Sequence, residues 1–91
     1  MRPSRNPELI HALGVEIKTR RQELGYSQED LAGHCELDRP YISLVEVGQK
    51  QPTISVLYRL AVGLGLSFEE FAGRVEQRYK KAARAKARSK E

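Results

Sequence analysis

The sequence predicts an all-α fold, a single bundle of five helices followed by a basic C-terminal tail. Three observations predict it. Apolar residues recur at helical spacing in successive stretches, cap-type residues stand before each stretch, and no alternating strand pattern or solenoid-length repeat is present.

Asn6, Pro7 and Glu8 supply an N-cap, a proline at the first helical position and an acid in the first turn. The helix they start, over 7–24, carries Leu9, Leu13, Ile17 and Leu24 as its apolar face, with Ile10 beside that stripe, and Gly25 ends it. Ser27 and Asp30 have capping-box spacing, which predicts a second helix over 28–35 with Leu31, Ala32 and Cys35 turned inward. Asp38 is the cap expected for a third helix over 39–46. Pro40 is tolerated in its first turn because the early amides have no intrahelical partner. Ile42 and Val45 point inward and Gly48 stops that helix. Thr53 caps a fourth, whose buried face is Ile54, Leu57, Leu60, Ala61 and Leu64, and Gly65 breaks it. Ser67 to Glu70 repeats the capping pattern for a fifth helix, anchored by Phe68 and Phe71 and continuing towards Val75 and Tyr79. Beyond it the chain is Ala, Lys and Arg without a core-forming residue. The expected divisions are an arm over 1–6, a domain over 7–79 and a basic tail over 80–91.

A chain of 91 residues makes one domain and buries only roughly 60–65% of its unfolded surface. Cys35 is the only cysteine, which excludes an internal disulfide and points to a reducing, cytoplasmic setting. No stretch approaches the roughly 20 apolar residues that cross a bilayer, so a soluble protein without a membrane partner is expected. Net charge is +4, but 74–91 alone carries +6 and the preceding residues −2. Bulk charge therefore describes the tail, and a polyanionic partner has to be argued from particular positions. His11, His34 and Cys35 lack metal-ligand spacing, and no nucleophile, base and orienting acid can be assembled. No metal, cofactor or enzymatic activity is expected.

Two helices of about two turns, joined only by Glu36 and Leu37 before the Asp38 cap, cannot pack antiparallel and must cross steeply, the geometry of a helix-turn-helix. Ala32 is small enough for the crossing, and Ile42 and Val45 close it from the other side. On the third helix Pro40, Ser43, Leu44 and Val47 then face outward, with Arg39 and Tyr41 on the flanks of the first turn.

Residues 27–32, 37–43, Glu46, Gly48, Pro52 and 57–66 resemble the phage-repressor (Cro and lambda repressor, XRE-like) helix-turn-helix family. The likeness covers 10–71, and the run Leu-Asp-Arg-Pro-Tyr-Ile-Ser is similar to controller proteins of restriction-modification systems. It implies a lambda-repressor-like bundle that regulates transcription by placing helix 39–46 in the major groove of double-stranded DNA. It also implies that Gln28 binds a phosphate, and that Arg21 bridges Glu46 to fix the reader helix while leaving donors near the backbone. Two positions depart from the family pattern: Glu36 stands where glycine is usual, which costs roughly 1–2 kcal/mol if the turn stays left-handed, and Val47 replaces an asparagine.

Chemistry assigns the base contacts to Arg39, Pro40, Tyr41, Ser43 and Leu44. Arg39 can take both guanine acceptors, worth about 1–3 kcal/mol of discrimination, while Pro40, Tyr41 and Leu44 pack on thymine methyls. The expected half-site holds one guanine beside a thymine. Lys50 and Arg20 join Gln28 and Arg21 as phosphate contacts. One short helix reads too few bases for useful specificity, so a homodimer on a two-fold-related operator is expected, joined through Leu66, Phe68, Phe71 and Val75 with Tyr79. A second reading uses Pro40, Leu44 and Val47 as a protein-docking surface. The tail is either a solvated helix end or an arm adding non-specific DNA affinity, and repressor, controller activator and antitoxin all stay open.

Overall fold

The computed structural model describes residues 5–89. They form α1 (Pro7–Glu23), α2 (Gln28–Cys35), α3 (Arg39–Glu46), α4 (Ile54–Gly63) and α5 (Phe68–Ser89). Residues 1–4 of the expected arm and 90–91 of the expected tail lie outside the described residues. Among those described, no helix is long and apolar enough to cross a membrane.

The expected caps account for most helix starts. Asn6 accepts from the Leu9 amide, Ser27 and Asp30 close a reciprocal capping box, and Thr53 and Ser67 accept from the Val56 and Glu70 amides. Asp38 occupies the N-cap position of α3 in extended backbone but makes no side-chain cap bond, contrary to the sequence expectation.

α1 packs against α5 and α3, α2 against α3 and α4, and α4 against α5. Ile17, Leu31, Ile42, Val45, Leu60, Leu64 and Phe71 fill the centre and are fully withdrawn from solvent. Burying each large apolar side chain contributes about 1.5–3 kcal/mol. On α1 the buried member is Ile10, whereas Leu9 sits at the rim, the reverse of the expected order. A correction is also needed on α4. Ile54 was expected to face inward and is 71% exposed, because Leu57, Leu60, Ala61 and Leu64 already fill the inner face.

Two close approaches set how the helices cross. A Cβ on Gly14 would collide with the Val45 and Glu46 carbonyl oxygens, and one on Gly63 would strike the Cys35 sulfur. These glycines let α1 lie directly on the end of α3, and α4 on the end of α2.

α5 continues as one helix through the residues expected to be tail, with 82–88 exposed to solvent. It runs antiparallel to α1. Glu16, 3% exposed, meets Arg78 Nε at 2.6 Å and Arg74 Nη1 at 3.8 Å; Asn6 Nδ2 donates to the Tyr79 hydroxyl at 3.1 Å; and Lys86 Nζ lies 3.4 Å from Glu8. The Glu16 carboxylate is thus a charged pin between the two helices, one that sequence periodicity gave no reason to single out.

Candidate nucleic-acid interface

The link between α2 and α3 is as short as the sequence implied. Glu36 takes the left-handed conformation (φ 56°, ψ 43°), and its amide and that of Leu37 close the end of α2 on the carbonyls of Gly33 and Ala32. The turn therefore keeps its left-handed shape without a glycine. Leu37 packs on the core, and buried Ala32, Ile42 and Val45 form the crossing. α3 thereby turns its remaining face outward.

On that face Arg39 and Pro40 are exposed, Tyr41, Ser43 and Leu44 are half-buried, and Val47 just past the helix is 63% exposed. Partial burial pushes the Tyr41 phenol above its ordinary pKa. The first turn of α3 contains no acidic residue, and the exposed Asp38 at its N-cap makes no side-chain bond to the free amides at the positive end of the helix dipole. The first turn of α2 differs. Glu29 and Asp30 are both there, and the Ser27 amide and hydroxyl hold the Asp30 carboxyl below its usual pKa.

Behind the reader helix lies a polar chain. Arg21 Nε donates to Glu46 Oε2 at 2.8 Å, Nη2 to Glu46 Oε1 at 3.0 Å, and Nη1 to the Tyr26 carbonyl at 2.9 Å. The hydrogen bond with Glu46 raises the Arg21 pKa still further, so the guanidinium remains charged in its buried setting. Gln28 Nε2 donates to the same Glu46 Oε1 at 3.0 Å, and Gln28 Oε1 accepts from Arg39 Nη1 at 3.3 Å. Glu46 is therefore tied through Gln28 to Arg39. The Gln28–Arg39 link escaped sequence reasoning, since only the crossing of α2 and α3 brings residues eleven apart into contact.

The expected phosphate contacts fall in different places. One Gln28 N–H goes to Glu46, leaving the second for an outside acceptor. Lys50 is exposed in the loop after α3. Arg21 is buried with three of its five N–H donors given to Glu46 and the Tyr26 carbonyl, and Arg20 donates to the Leu64 carbonyl at 3.0 Å, which places it at the α4–α5 connection. Arg5, which the sequence did not single out, reaches the Gly48 carbonyl at 3.5 Å and adds a cation beside that loop.

Of the residues expected at a dimer interface, Leu66, Phe71 and Val75 are buried in the core of the single chain, and Phe68 and Tyr79 are half-buried. Three of the exposed large apolar side chains lie together on α4. Ile54, Tyr58 and Val62, four residues apart, are 71%, 58% and 59% exposed, and the Tyr58 ring stands 5.9 Å from that of Phe68. Cys35 is inert by comparison, its thiol pushed up to about 11 by burial.

A family profile described as helix-turn-helix matches residues 17–71, which include α2, its turn and α3. The chain belongs to the helix-turn-helix family. Control protein C.MunI from Mycoplasma sp is 32% identical over 60 residues, covering 66% of this chain and 81% of its own length. The restriction-modification controller C.AhdI from Aeromonas hydrophila superposes with a TM-score of 0.66 at 32% identity, over 68% of this chain and 94% of that one. C.Esp1396I, solved as a tetramer on its natural 35-base-pair operator, gives a TM-score of 0.73 at 35% identity, over 78% and 93% of the two chains. This helix-turn-helix protein is thus similar to controllers of restriction-modification systems in both sequence and fold.

Proposed function

We propose that the protein is a sequence-specific transcription regulator that reads the major groove with α3 as a homodimer. The observation that carries this reading is the outward face of α3, held at a fixed angle by the Arg21–Glu46–Gln28 chain and presenting Arg39 at its first turn. Arg39 takes guanine O6 and N7, Pro40 and Leu44 lie against thymine methyls, and Ser43 and Tyr41 complete the contact. Gln28 and Lys50 hold phosphates and fix the register. Similarity to C.Esp1396I, a controller solved on its operator, supports DNA as the partner. No catalytic step is assigned to it.

A second copy covers the α4 face. Ile54, Tyr58 and Val62 form a stripe that the single chain leaves open, and Phe68 extends it to the start of α5. A two-fold axis through this patch joins like surfaces and sets two α3 helices on one duplex, where half-sites about 34–36 Å apart fall on one side.

Selection of bound duplexes from a random pool tests the reading. The expected result is a two-fold-related site with a guanine beside a thymine in each half, and loss of that guanine preference in Arg39→Ala. Failure to enrich any sequence would overturn it in favour of a surface that docks on protein.

A further inference from the structure

The sequence left the basic stretch after Tyr79 undecided between a solvated end and a DNA-binding arm. We propose that the last turns of α5 form a second, sequence-independent DNA contact, gripping the phosphate backbone that flanks the half-site read by α3. The proposal rests on the regulator reading above.

Three observations place it. First, α5 keeps its helical form through Ser89, so its cations have fixed relative positions. Lys81, Arg84 and Arg88 recur at helical spacing on one face with Gln77 and Lys80, while the face towards α1 carries Tyr79, Ala83 and Ala87. Second, Lys81, Arg84 and Arg88 are exposed and have no ion pair among the described residues, whereas Lys80 lies 3.8 Å from Glu76 and Lys86 lies 3.4 Å from Glu8. Third, this end of α5 lies beside the start of α1, through Asn6–Tyr79 and Glu8–Lys86, and Arg5 reaches the Gly48 carbonyl just beyond α3. The part of α5 that carries the stripe therefore stands near Arg5 and the loop that follows the reader helix, with the stripe itself on the side of α5 turned away from α1.

Charge selects the occupant. Among the residues lining the stripe the one apolar side chain is the small Ala85, and repetition of this face in a second copy of the chain would set like charges against each other. Duplex DNA presents one phosphate for about every 1.7 Å of its axis, so cations spaced about 4.5–6 Å apart along α5 can each reach one, and each phosphate neutralised adds about 0.9 to the salt slope. Because the contact is to phosphate only, it raises affinity for any sequence and leaves the choice of sequence to α3.

The test is the triple variant Lys81→Gln, Arg84→Gln, Arg88→Gln in the full chain. Glutamine keeps helix propensity near that of lysine and arginine, and circular dichroism checks that α5 is retained. Binding to random and to selected duplex is measured across a salt series. The slope of log K against log salt is expected to fall by about two to three per protomer on both duplexes, with the specific-to-random ratio unchanged. The charge-keeping set Lys81→Arg, Arg84→Lys, Arg88→Lys should restore the original slope. An unchanged slope on both duplexes overturns the proposal, even if the triple variant loses contact with an acidic protein. Loss of sequence preference in the unaltered chain would instead defeat the regulator reading, and the random-duplex slopes would still decide the role of the stripe.

Discussion

The guanidinium of Arg21 and the carboxylate of Glu46 meet edge to edge, at 2.8 and 3.0 Å, where α1 crosses the end of α3. Both side chains are nearly buried, so each charge depends on the other. Truncating one leaves a buried charge unpaired, and Glu46→Ala or Arg21→Ala is expected to cost about 3–5 kcal/mol. The double variant Arg21→Met, Glu46→Leu should be clearly more stable than either single one, as read from urea midpoints. Near-additive losses would show that the pair is not coupled.

Gln28 carries the angle of α3 out to Arg39. In Gln28→Ala the Glu46 carboxylate keeps Arg21, so stability should change by less than about 1 kcal/mol while Arg39 loses its restraint. The expected result is a drop of about tenfold in preference for guanine over other bases at the half-site, within the discrimination such a contact provides. Gln28→Glu sets a carboxylate against both Glu46 and the phosphate, and should weaken binding to every duplex. Competition binding with single-base operator variants separates the two outcomes.

Glu36 holds a left-handed backbone that a side chain disfavours. Glu36→Gly removes that cost while adding freedom to the unfolded chain, for a net gain of about 0.5–1 kcal/mol. Glu36→Ala retains the strained Cβ and should give no gain. Thermal unfolding of the three proteins checks this, with a rise of a few degrees expected for glycine alone.

Ile54→Glu combined with Tyr58→Glu should yield a folded monomer in sedimentation, since both side chains are exposed in the single chain. Operator affinity should fall by about 100-fold or more as the two reader helices cease to act together. Phe68→Glu should weaken the dimer less, because that ring is half-buried. Leu66→Glu should instead unfold the protein, its side chain being part of the core.

α2 and α3 could be bounded from sequence to the residue, since a capping box and a proline each mark a start through local chemistry. The inner and outer faces of α4 could not. Its apolar residues surround the helix, and only the packing of α2 and α5 decides which side is covered, so Ile54 was misplaced. Glu16 escaped notice because its partners lie about sixty residues away, and Gly14 and Gly63 because a mid-helix glycine does not reveal what presses on it. The extent of α5 was hidden by the lack of apolar residues after Tyr79; alanine, lysine and arginine favour helix without needing a core.

Arg39 is the outermost link of the polar chain, and the buried links hold without it: Arg21 and Glu46 bind each other, and Gln28 binds Glu46. Position 39 is accordingly a replaceable tip on a pre-set mount. If Arg39 reads a base as proposed, exchanging that tip alone would give descendants of this sequence a new recognition preference, with the interior beneath it left untouched.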